Sequence, residues 1–155
     1  MTEGGGTRGG GDRFEASTDV ELSADPQRVW RVLVDPDLVA RYMHGTTLVT
    51  DWTVGGPVEW RGEWQGKEYV DTGEVLAVEP PRRLSVTHWS PLTGDPDTPE
   101  NHHHVTYELE PLDGGRTRLT LTHGNSPSRE AAEAMIENGW RPMLQSLQQV
   151  AEEAD

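Results

Sequence analysis

Whatever chemistry this chain can perform rests on its histidines and on a set of aromatic residues spaced along runs of alternating polarity. In a strand successive side chains point to opposite faces, so the apolar partners of each histidine fix its side. Over 102–110 the apolar set is Val105, Tyr107 and Leu109, which places His103 on the inner face and His102 and His104 outside. Over 83–89 the inner set is Leu84, Val86 and His88, and over 58–64 it is Val58, Trp60 and Trp64. Adding Tyr69 and two residues of the last helical stretch gives a candidate cavity lining of Trp60, Trp64, Tyr69, His88, His103, Tyr107, Trp140 and Leu144. A few polar groups among aromatic walls is the make-up of a small-molecule pocket. The same residues would also serve as plain core, with His88 and His103 hydrogen-bonded near an open edge of a sheet. If the pocket is real, the expected partner is a small hydrophobic or aromatic ligand.

The run His102-His103-His104 invites a metal hypothesis. Alternation defeats it for a regular strand: only His102 and His104 share a face, and His88 or His123 would have to join from a neighbouring strand to approach the three or four ligands of a zinc site. There is no cysteine, hence no thiolate site and no disulfide. No cofactor fingerprint, phosphate loop or nucleophile motif is present. The reading is therefore no metal and no cofactor. A net charge of −14 argues against nucleic acid and against an anionic membrane surface as partners. No apolar run approaches the roughly 20 residues of a membrane span, and no signal-peptide core is visible, so a soluble cytoplasmic monomer or homodimer is the expectation.

The elements that must position these residues read clearly. Residues 1–12, rich in glycine, are expected to form a disordered tail ahead of one domain over 13–155. Arg13–Leu22 alternates as a strand. Asp25 then Pro26, and Asp35 then Pro36, each pair an N-cap with a first-turn proline, so two short helices follow. Strands are expected at Thr46–Asp51, Val58–Trp64, Tyr69–Glu79, Arg83–Trp89, His102–Glu110 and Arg116–His123, with an exposed loop at 91–100. Ser128–Glu153 carries Ile136, Trp140, Met143, Leu144, Leu147 and Ala151 on one helical stripe. At about 1.5 Å per residue this helix is roughly 35–40 Å long, enough to lie across a six- or seven-stranded sheet. Gly139 and Pro142 fall inside it, and a kink or break is expected near Asn138–Trp140. The order is one strand, two helices, a meander and a long helix, an α+β domain.

Six segments in this order carry a family resemblance: Ala24-Asp-Pro-Gln-Arg-Val-Trp, Val54-Gly-Gly-Pro-Val-Glu-Trp, Gly73-Glu-Val-Leu-Ala-Val-Glu-Pro-Pro, Val105-Thr-Tyr-Glu-Leu-Glu-Pro, Gly115-Arg-Thr-Arg-Leu-Thr, and Gly139-Trp140 with Leu144 and Leu147. Over about 14–153 the chain resembles the homologues of the heat-shock protein 90 ATPase activator C-terminal domain, within the START-like, birch-pollen-allergen-like superfamily. Tyr42 stands where that family more usually has tryptophan. The resemblance implies a helix-grip fold, a curved antiparallel sheet wrapped around the C-terminal helix with a cavity between them. The family holds ligand binders and co-chaperone domains, so its implied functions stay several. Resemblance to the wider superfamily's cyclases and dehydratases implies, as an alternative, an enzyme using His88 and His103. The co-chaperone works beside a separate N-terminal domain, and only the Gly-rich segment precedes the first strand here, so chaperone activation is not expected.

Overall fold

The computed structural model describes residues 13–153; the Gly-rich tail lies outside them, as does the side chain of Trp64. Strand β1, Phe14–Leu22, alternates half-buried and exposed positions as its sequence demands. Helix α1, Pro26–Val34, starts where the Asp25 carboxylate accepts the Arg28 amide at 2.8 Å. Helix α2, Pro36–Tyr42, starts in the same way at Asp35, whose side chain accepts the Asp37 amide at 2.9 Å. The six later strands are β2 (Thr47–Val49), β3 (Pro57–Trp64), β4 (Lys67–Glu79), β5 (Arg83–His88), β6 (His103–Leu112) and β7 (Arg116–Ser126). They form one antiparallel sheet in the order β1-β7-β6-β5-β4-β3-β2. This is the curved sheet of a helix-grip fold.

The long helix is interrupted where Gly139 and Pro142 suggested, and the form of the interruption is specific. Helix α3 (Arg129–Met135) is capped by the Ser128 hydroxyl, which accepts the Ala131 amide. A π-helical turn, Ile136–Trp140, follows, and helix α4 runs over Arg141–Glu152. Pro142 has no amide to offer the Asn138 carbonyl. The chain absorbs that loss by widening one turn: the Arg141 amide bonds to Ile136 O while the backbone stays right-handed helical. Leu144, Leu147, Val150 and Ala151 remain buried against the rest of the core. The far end is docked by α1, because the Arg28 guanidinium donates to the carbonyls of Val150 and Ala151. A cation on terminal carbonyls also opposes the negative end of the helix dipole.

One outward residue differs from the sequence reading. His104 is exposed, but His102 is half-buried. Its Nε2 meets the Asp97 carboxylate and its ring stacks on Trp89 at 6.4 Å, pinning the 91–101 loop. Alternation assigns a face but cannot foresee a loop folding back over it. His104→Gln should therefore leave stability within about 0.5 kcal/mol, while His102→Gln should cost about 1 kcal/mol through the lost contacts. Urea unfolding of both variants checks this; equal midpoints would show that the loop contacts contribute nothing.

Candidate functional site

Strand register brings the inner faces of β3, β5 and β6 under the two short helices, and a cavity remains between them. Its walls are Trp60 and His88 from the sheet, Val86 and Val105 beneath, Tyr107 beside them, Tyr42 and Met43 from α2 and its end, Trp52 from the following loop, and Trp140 from the π turn. The volume is about 40 Å³. At roughly 10–15 Å³ per water that is room for about three or four waters, well short of the roughly 300–1,000 Å³ of a drug-sized pocket. A ring-sized guest therefore needs side chains to move. Met43, half-buried and unbranched, is the most adaptable of them.

Trp52 sits in a left-handed backbone conformation, φ 59°, that a bulky residue rarely adopts. Local bonds hold it there. The Trp52 amide donates to Thr50 Oγ1 at 3.0 Å, and the indole Nε1 donates to the Val34 carbonyl at 3.1 Å. The Asp51 carboxylate accepts the Thr53 amide, which keeps that carboxyl below its ordinary range.

Two polar groups face the apolar walls without protein partners. Tyr42 and Tyr107 are 3% and 8% exposed, and among the described residues neither hydroxyl has a hydrogen-bond partner. Burial pushes both phenols well above their ordinary range, so both remain O–H donors. At the side of the cavity Trp60 pairs with Asp71 across β3 and β4. The Asp71 carboxylate lies 2.9 Å from His88 Nε2, and Trp60 meets the His88 ring edge-on at 5.1 Å.

A second cluster lies farther along the sheet. His103 pairs in register with His88, but its ring lies tilted by 33° against His123, centroids 4.6 Å apart. His123 is fully buried and accepts the Trp140 indole N–H at its Nδ1, 2.9 Å away. Indole only donates, so Nδ1 holds the lone pair and the ring proton sits on Nε2. His103 Nδ1 and His123 Nε2 are buried without partners. Burial and the neighbouring His103 and His88 push His123 down to about 4, and burial followed by the His88 charge lowers His103.

Of the residues singled out from sequence, Trp60, His88, Tyr107 and Trp140 border the cavity. Tyr69, His103 and Leu144 do not. Tyr69 is on the correct face but one strand-end too far, lying across Gly62 beside an outer groove with His44 and Arg61. His103 turns onto His123, and Leu144 is packed core. The side chain of Trp64 lies outside the described residues, although its backbone pairs with Lys67. Tyr42, Trp52 and Asp71 were missed. Asp71 shares the period-two face of Tyr69, and a lone carboxylate in phase with inward aromatics was the available signal.

Residues 23–152 match the family model described as Activator of Hsp90 ATPase homolog 1-like protein. Among solved structures, a protein from Cytophaga hutchinsonii is 38% identical, with 88% of this chain and 92% of that one covered and a TM-score of 0.75. Proteins from Arthrobacter aurescens and Mesorhizobium loti are each 26% identical. The first covers 90% of this chain and 87% of its own with a TM-score of 0.74; the second covers 92% and 99% with a TM-score of 0.72. No curated protein matches the sequence.

Proposed function

Because the chain belongs to the Activator of Hsp90 ATPase homolog 1-like family, whose fold commonly binds ligands, we propose that it binds a small hydrophobic or aromatic molecule between the sheet and the helices. The observation that carries this reading is the pair of tyrosines, Tyr42 and Tyr107, on the wall of an aromatic cavity, whose hydroxyls have no hydrogen-bond partner among the described residues. A hydroxyl in an apolar cavity that gains no partner costs about 1–3 kcal/mol. A fold concerned only with packing would gain by having phenylalanine at both places. Two phenolic donors on an apolar wall suit a guest that is mostly ring and carries an acceptor oxygen. Its small volume implies that entry is coupled to movement of Met43 or Trp52.

A thermal-shift series of phenol, cyclohexanone and acetophenone against toluene tests the reading. A ligand at about 100 times its dissociation constant that binds only the folded state adds roughly 2.7 kcal/mol, or about 5–10 °C here. The oxygen-bearing compounds should give such shifts in wild type, and Tyr107→Phe should shrink them while leaving any toluene shift intact. Unmoved melting temperatures across the series would overturn the proposal.

A further inference from the structure

We propose that the Asp71–His88 pair makes this cavity a proton-transfer site, in which His88 Nδ1 removes a proton from the carbon beside a carbonyl whose oxygen is held by Tyr42 and Tyr107. The inference rests on the binding reading above and names the class of substrate, a small enolisable ketone. The Asp71 carboxylate accepts at 2.9 Å, so His88 Nε2 is the protonated nitrogen and Nδ1 carries the lone pair. Among the described residues Nδ1 has no partner, and the ring borders the cavity. This is the tautomer a general base needs, held in place by a carboxylate that also stabilises the imidazolium formed on protonation. His88, Tyr42 and Tyr107 border the same cavity of about 40 Å³. A guest oxygen bonded to the tyrosines would then place its neighbouring carbon in the space that His88 also borders.

The step balances without an oxidant or a further reactant. The C–H bond breaks and its proton passes to Nδ1. The electron pair forms a carbon–carbon double bond while the carbonyl pair moves onto oxygen. The two phenolic O–H groups hold that enolate oxygen, as donors aimed at developing charge do. Returning the proton restores the ketone, or gives its isomer if a second carbon receives it. The His88 side chain is 23% exposed, so the captured proton can exchange with solvent. Asp71 hydrogen-bonds to His88 and does not border the cavity, so it is a positioning residue.

The test follows loss of the α-proton signals of acetone, cyclopentanone and cyclohexanone by NMR in D₂O, with saturation transfer from protein to probe as the separate measure of binding. Wild type should accelerate exchange of at least one probe by more than tenfold over an equal concentration of imidazole. His88→Gln should abolish the acceleration while retaining saturation transfer and circular dichroism. Asp71→Asn should lower the maximal rate without changing the half-saturating ketone concentration. The Tyr42→Phe, Tyr107→Phe pair should lower it roughly 100-fold. Saturation transfer with equal exchange in wild type and His88→Gln would overturn this proposal and leave the binding reading standing. No saturation transfer from any ketone would overturn the proposal at the binding step, and the separate thermal-shift series then decides whether binding fails altogether.

Discussion

Gly73→Ala is expected to destabilise the protein by about 3–5 kcal/mol and to lower its melting temperature by roughly 8–15 °C. A methyl group built on Gly73 would stand 1.9 Å from the Thr87 carbonyl oxygen and 2.7 Å from its carbonyl carbon. Both are backbone atoms of β5, so no side-chain rotation relieves the clash. The strand pair cannot simply separate either. Thr72 and Trp89 exchange two backbone bonds of 2.9 and 2.8 Å on one side, and the Glu74 amide donates to Thr87 Oγ1 on the other. A glycine inside a strand marks this kind of close backbone approach. The contrast is Gly62→Ala, where the new methyl would meet the Tyr69 hydroxyl at 2.6 Å, the far end of a side chain able to swing into the outer groove. That change should cost less than about 1 kcal/mol. Denaturant curves of both variants decide the matter. Because Gly73 is two residues from Asp71 on β4 and packs against Thr87, next to His88 on β5, a Gly73→Ala protein with wild-type stability would also remove the reason to regard the Asp71–His88 geometry as rigidly set.

The fold was legible in the sequence because its signals are local. Asp25 with Pro26, Asp35 with Pro36, and Ser128 each announce a helix start through chemistry contained within four residues. Strand alternation likewise assigned Trp60, His88 and Tyr107 to the inner face. Alternation fixes a face, not a depth along it. Tyr69 and Asp71 share one face of β4, yet only Asp71 is level with Trp60 and His88, and that level is set by pairing register across three strands. His103 shows the same limit in another form. Its face was readable, but its ring direction depends on His123 from β7, a contact made across the sheet. Trp52 reached the cavity wall through a left-handed turn, which neither period two nor period 3.6 describes. The π turn lies between these cases: Gly139 and Pro142 located the disturbance, while its form depended on keeping Ile136 buried and Trp140 bonded to His123.

That Trp140–His123 bond makes stability depend on pH in a window whose upper part lies above the carboxylate range. The indole N–H already occupies the direction of His123 Nδ1, so a proton added there would set two N–H groups against each other in a fully buried site. The neutral ring is favoured in the folded protein, which holds its pKa down at about 4, whereas the unfolded chain titrates near 6.5. Above 6.5 neither state binds the proton and the full stability is present. As pH falls through 6.5 the unfolded state takes up the proton and the folded state does not, so stability is lost until about pH 4, where both are protonated. From this one residue the loss should reach about 2 kcal/mol by pH 5 and about 3 kcal/mol at the end of the window. His103, lowered by burial and by the His88 charge, acts in the same direction. Glu21 and Asp51 have lowered pKa values, so the stability they contribute is lost only as pH falls through their ordinary values of 4.5 and 3.8, below the upper part of the window. His123→Asn places a non-titrating amide oxygen near the former Nδ1, so the indole keeps an acceptor. The variant should be less stable than wild type at pH 7.5 because of the void it leaves, yet its denaturation midpoint should fall much less between pH 7 and 5. Identical slopes for the two proteins would show that His123 is not the group whose burial sets the acid limit of this fold.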